Sequence, residues 1–208
     1  YGKTEIAVKM YIAWVLSKKP AAKFIHLSYS DSLALDNSSM TKEYINSDAF
    51  QCIWDINLKK DSQSQKKWYT TEGGGVYATS SGGAITGFGA GSGGAIIIDD
   101  PLKPDDALSD VRRSFINNRY NTTIRSRVND RDVPIIVIMQ RLHEEDLSGY
   151  LLDGGSGEQW HHLKLSALDE ENNALWPEKH SFDELEAIRK ADRYTFSGQY
   201  LQIPSPPE

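Results

Sequence analysis

Apolar positions along the chain alternate between helical and strand periods. Residues 5–18 (EIAVKMYIAWVLSK) contain no glycine or proline and place Ile6, Met10, Ala13 and Trp14 on one helical face. Pro20 closes that helix. The short run KFIHLS at 23–28 predicts a buried strand, and Ser30 or Asp31 is placed to cap a helix over about 32–45. Segments 67–71 and 76–80 are rich in aromatic and β-branched residues and flank Glu72-Gly73-Gly74-Gly75, the pattern of a hairpin. Residues 82–94 hold seven glycines in thirteen positions, which by composition alone describes a flexible surface loop. Ala95–Asp99 is a continuous apolar run ending in carboxylates, and 134–139 (PIIVIM) is a second such strand. Between them 105–128 predicts a helix, with six arginines up to Arg131. A further strand is predicted at 161–165, and Ser181 with Glu184 forms a capping box for a helix to about Ala191. The proline-rich tail from Ile203 reads as the start of a linker.

Apolar strands alternating with helices imply an α/β fold, with a mainly parallel sheet sandwiched by helices and a β-hairpin insertion. Its 208 residues suffice for one substantial domain. A chain that is 39% hydrophobic and 25% charged is ordinary for a globular protein. The formal net charge of -6 argues against a protein that only coats nucleic acid, so any DNA contact must come from a local patch or from other regions. The single cysteine, Cys52, rules out an internal disulfide and a CxxC metal pair. No apolar run is long enough to span a membrane. His161-His162 lacks both a partner cysteine and HExxH spacing, which leaves it to strand chemistry.

The candidate chemistry begins at the first residues. Gly2-Lys3-Thr4 opens a helix directly, as the second half of a phosphate-binding P-loop does. Backbone N–H groups and the dipole at a helix start favour phosphate oxygens. Gly2 allows close backbone approach, Lys3 would reach the β- and γ-phosphates of ATP, and Thr4 would join a Mg²⁺ shell. Tyr1 stands beside this motif. GKT alone is a weak signal. The apolar run 95–98 adds the complement by delivering Asp99 and Asp100 to the carboxyl edge of a buried strand, where open α/β sheets bind ligands. Asp99 would hold Mg²⁺ and Asp100 would act as general base on the attacking water, although Asp-Asp-Pro is also good turn chemistry. Gln140 follows the strand at 134–139 and is placed to sense the γ-phosphate. Arg112, Arg113, Arg119, Arg125, Arg127 and Arg141 are candidates for the arginine that phosphoryl transfer usually needs.

GKTEIAV, LSYSDSLA, AITGFGAGSGGAIIIDDP, QRLHEEDLSGYLL, ALWPEKHSFDELEAIR and FSGQYLQIPSPP occur in this order over nearly all of the chain. Together they resemble the terminase large subunits of tailed phages and prophages. The resemblance implies a P-loop ATPase of the additional-strand (ASCE) type over 1–203. That domain would lack its first strand and the start of the P-loop, with 204–208 opening a linker to an absent nuclease domain. It also implies an Mg²⁺-dependent motor that pumps double-stranded DNA into a procapsid. The partners implied are the portal protein, the terminase small subunit and further copies in a ring, and the setting is the cytoplasm of a bacterial host. Gly2, Lys3 and Thr4 match the Walker A end; Asp99 and Asp100 match the Walker B metal ligand and catalytic carboxylate. Gln140 and Arg141 match the coupling motif, with His143 and Asp146 in its extension. Three features depart from the family: Asp100 stands where Glu is frequent, Gln-Arg-Leu-His replaces Thr-Arg-Trp-His, and no arginine precedes Walker B, which leaves the arginine finger unassigned. Other classes compatible with the residues are another P-loop DNA motor such as a helicase, and an inactive prophage remnant.

Overall fold

The computed structural model describes residues 2–204, the side chains of Ser62 and Gln63 excepted. Tyr1 and the Pro206-Pro207 linker start lie outside the described residues. The strands are β1 (Lys23–Ser28), β2 (Leu58–Gln63), β3 (Lys67–Thr70), β4 (Gly75–Ser80), β5 (Ile96–Asp99) and β6 (Ile135–Ile138). The helices are α1 (Tyr11–Lys18), α2 (Asp31–Asn46), α3 (Asp48–Gln51), α4 (Asp110–Arg119), α5 (Leu147–Leu152), α6 (Phe182–Ala191) and α7 (Arg193–Thr195). The chain divides into two compact units, Tyr1–Lys103 with Asn118–Ile138, and Pro104–Asn117 with Met139–Glu208. Among the described residues no helix is long and apolar enough to cross a membrane.

The first unit holds the whole sheet, in the order β2-β3-β4-β1-β5-β6. β4, β1, β5 and β6 run parallel, while β3 pairs antiparallel with β4 and β2 with β3. The protein is therefore α/β, with a mixed and mostly parallel sheet flanked by helices. Side chains alternate across the sheet with period two. Phe24, Trp68, Val76 and Ile97 share the face that packs against Val8, Ile12 and Leu16 of the first helix and Ile45 of α2. Ser30 caps α2 by accepting from the Leu33 N–H at 3.3 Å, and the Trp68 Nε1–H donates to Ser38 at 2.9 Å to dock α2 on the sheet. His26, fully buried beside Asn37, is pushed down to about 4 by loss of water.

Three expectations for the chain ahead of β6 need correction. The first helix runs as a π-helical segment, Glu5–Met10, continued by α1. Its core-facing stripe is Val8, Ile12, Val15 and Leu16, whereas Ile6, Met10 and Trp14 are 65%, 50% and 54% exposed. The segment is apolar nearly all round, so two stripes competed and packing chose the second. The glycine-rich stretch is not a free surface loop: Gly91 bridges to Lys23, Ala90 bridges to Val128, and Ile85, Phe88 and Ala90 are buried. The helix expected over 105–128 begins only at Asp110 and loosens after Arg119 into a π-helical turn, Tyr120–Ile124.

In the second unit Leu168, Leu185 and Phe196 form a small core with Ala167, Ile188 and Tyr200. The Ser181–Glu184 capping box is present, with each side chain bonded to the other residue's N–H. The strand expected at 161–165 is instead irregular, and Leu163 is 75% exposed.

Candidate nucleotide site

Gly2 has φ +73°, a left-handed conformation that glycine adopts without steric cost, and a Cβ added there would meet nothing within 4 Å. Backbone conformation, not crowding, selects glycine here. The Gly2 carbonyl accepts the Ile6 N–H at 3.0 Å, so the helix starts at this glycine and Lys3 and Thr4 fall in its first turn. On the sheet, Asp99 shares the parity of Ile97 and therefore faces the first helix. Its backbone pairs with Ile138, which sets it at the carboxyl edge of two parallel strands.

These two elements converge. The Thr4 hydroxyl donates to Asp99 Oδ2 at 2.8 Å across 95 positions of sequence. Asp99 is 1% exposed, and its second oxygen, Oδ1, is buried without a hydrogen-bond partner. Burial pushes the Asp99 carboxyl up to about 6; the Thr4 hydrogen bond opposes this, the Asp100 charge adds to it, and the Lys3 and Lys9 ammonium groups pull it back. A buried carboxylate with one lone oxygen and two cations nearby is chemically suited to a divalent cation carrying phosphates.

Asp100 adopts φ +44° although it is not glycine and precedes Pro101. The conformation is locked from both sides: its N–H donates to the Ile138 carbonyl at 2.8 Å and its carbonyl accepts the Tyr29 N–H at 3.0 Å. A strained residue held this firmly costs about 1–3 kcal/mol and is typical of functional positions.

Sequence reasoning overlooked Lys9. It is 7% exposed in the first helix, pairs with Glu5 Oε2 at 2.7 Å, and approaches Met40 Sδ at 3.2 Å. Glu5 also accepts the Tyr44 phenol, so α2 is tied to the residue that follows Thr4. The i,i+4 spacing of Glu5 and Lys9 was the available signal.

Gln140 and Arg141 belong to the second unit. There Arg141 Nε donates to both oxygens of Asp146, at 3.0 and 2.9 Å. Asp146 also accepts the N–H groups of Leu142, His143 and Gly149, the last as N-cap of α5. The Leu142 carbonyl receives the Tyr194 hydroxyl. Arg141 is thereby committed to shaping the loop 140–146. Arg113, also in this unit, is buried and binds the Ala107 carbonyl, Asp110 and Glu145. Arg119, in the first unit, binds the carbonyls of Ser81 and Gly83. Of the arginines considered for phosphoryl transfer, Arg112 is exposed, and Arg125 and Arg127 lie partly buried at the turn Arg125–Arg127.

Comparison of the chain with models of known protein families gives no match, and comparison with curated proteins gives none.

Proposed function

We propose that this chain is the ATP-hydrolysing part of a viral DNA-packaging motor, a terminase large subunit with a P-loop fold of the additional-strand type. The observation that carries this reading is the Thr4–Asp99 hydrogen bond at 2.8 Å, which joins a GKT helix start to the acidic end of a neighbouring parallel strand. The β6 edge adds support for the fold type. Ile135, Ile136 and Val137 are only half-buried, an apolar exposure that suits pairing with one more strand.

The residues fit Mg²⁺ and ATP. Thr4 and the orphaned Asp99 Oδ1 would hold the metal, and Gly2, Lys3 and Thr4 would cradle the phosphates. When bound, Mg²⁺ supplies neutralising charge on the phosphoryl oxygens. Lys3 offsets the negative charge that builds as the terminal phosphoryl group transfers. Asp100 takes the proton of the attacking water and delivers hydroxide character to phosphorus. The Arg141–Asp146 pair holds the loop 140–146 that carries Gln140. In the assembled motor, hydrolysis drives double-stranded DNA through the portal in the host cytoplasm. The small subunit and further copies of this chain serve as partners.

The test is Mg²⁺-dependent ATP hydrolysis by the full-length protein, compared with Asp100→Asn. Nucleotide affinity should hold within about threefold while turnover falls about a hundredfold or more, because the metal ligand survives and the base does not. Equal loss of binding and turnover would refute the division of roles. ATP-driven unwinding of duplex DNA would move the protein to the helicases.

A further inference from the structure

The sheet's antiparallel edge carries a feature that the nucleotide site does not use. Register puts Lys67 directly opposite Tyr77, and Tyr69 two residues along β3, so all three share one face. That face is opposite to Trp68 and Val76, which pack into the α1–α2 core. Tyr69 and Tyr77 each pack against Phe88 from the glycine-rich stretch, at centroid distances of 5.9 and 5.7 Å. Over this three-ring platform lie three ammonium groups. Lys59 and Lys67 sit 5.8 and 5.5 Å from the Tyr69 ring, and Lys66 sits 5.8 Å from the Tyr77 ring.

One lysine over one ring is ordinary packing. Here lysines from both sides of the β2–β3 turn converge on one aromatic cluster in a chain that is acidic overall, with 23 basic and 29 acidic residues. None of the three forms an ion pair among the described residues. Lys66 acts from a distance on Asp31, whose carboxyl is held below its ordinary value chiefly by the Ser80 N–H. Gathering like charges costs energy that a polyanion would recover.

We propose that Lys59, Lys66 and Lys67 form a contact surface for the phosphate backbone of duplex DNA. The rings fix the stems, so the ammonium groups are pre-positioned and lose less freedom on binding. Contact of this kind positions the duplex without reading its sequence, as translocation along arbitrary DNA requires. The choice of duplex over other polyanions rests on the packaging reading above; the patch itself does not.

The experiment measures binding of a fluorescent duplex of mixed sequence by anisotropy over a range of KCl concentrations. It uses the full-length protein, the triple variant Lys59→Gln/Lys66→Gln/Lys67→Gln, and the triple arginine replacement. DNA-independent ATP hydrolysis is read in the same samples. The glutamine variant should bind at least about tenfold more weakly, with its salt slope reduced by about 3, roughly one for each lysine neutralised. The arginine variant should bind as the parent does, and hydrolysis should be unchanged in both. An unchanged salt slope in the glutamine variant would overturn the proposal while leaving the ATPase reading intact. So would poly-glutamate binding as tightly as duplex, which would make the surface one for acidic protein. Absent hydrolysis together with the expected fall in slope would sink the motor reading and keep the DNA surface.

Discussion

Two buried aspartates in this protein meet opposite fates. Asp99 in the first unit and Asp146 in the second are each 1% exposed. Asp146 is saturated: Arg141 holds both oxygens and three backbone N–H groups complete its shell. Asp99 has one hydroxyl donor and one bare oxygen, and its carboxyl is pushed up to about 6. A buried charge whose partners are all supplied by the fold is structural, and one left half-supplied stores energy that a ligand can release. By this contrast the Arg141–Asp146 pair braces its loop, while the Asp99 carboxylate beside Thr4 keeps one oxygen unpartnered.

The largest expected effect tests the binding half. Lys3→Ala should lower Mg²⁺-dependent ATP hydrolysis about a thousandfold or more, equivalent to ~4 kcal/mol of barrier, as seen in steady-state phosphate release. Hydrolysis persisting at the parent rate would remove the site altogether. Next comes the direct contrast. Asp146→Ala should destabilise the fold by about 3–5 kcal/mol in urea unfolding, because it strands the Arg141 guanidinium and three N–H groups. Asp99→Ala should cost far less, and matching losses at the two positions would erase the distinction.

The pH dependence gives a third, smaller effect. The Asp99 carboxyl lies at about 6 in the folded chain against an ordinary 3.8, so the native state holds this proton more tightly than the unfolded chain does. Its stabilising contribution is complete below about pH 4 and is lost as the pH rises through about 6. Without Mg²⁺, the parent should therefore lose up to ~3 kcal/mol relative to Asp99→Asn between pH 4 and pH 8, measured by chemical unfolding. A pH-independent difference would show that the buried carboxyl is not the strained group. The smallest effect is at Lys9, whose ammonium pulls the Asp99 carboxyl down. Lys9→Met should shift the midpoint of that pH dependence upward by less than about one unit. A downward shift would contradict the arrangement of charges around Asp99.

Much of the fold was legible locally. β1 matches its apolar run KFIHLS residue for residue, and the capping box at Ser181 and Glu184 starts α6 as the motif requires. The hairpin around Glu72–Gly75 is β3 and β4. β2 was missed because LKKDSQ carries no apolar alternation, and its place comes from hydrogen bonds to β3. In the candidate site the residue types were readable, as GKT and as Asp-Asp after an apolar run. The satisfaction of each was not, because partners such as Thr4 and Asp99 lie 95 positions apart.

The sequence by itself determined β1, the strand that ends at Asp99 and the capped starts of α2 and α6, because caps and apolar runs act over a few residues. It also set the types of chemical group available. Only the tertiary structure decided which stripe of the first helix is buried, since both Ile6–Met10–Trp14 and Val8–Ile12–Leu16 are apolar and the sheet accepts one of them. The same holds for charge. Whether an aspartate or an arginine is scaffold or binding group depends on how many of its hydrogen bonds the rest of the chain supplies, and that is a property of packing.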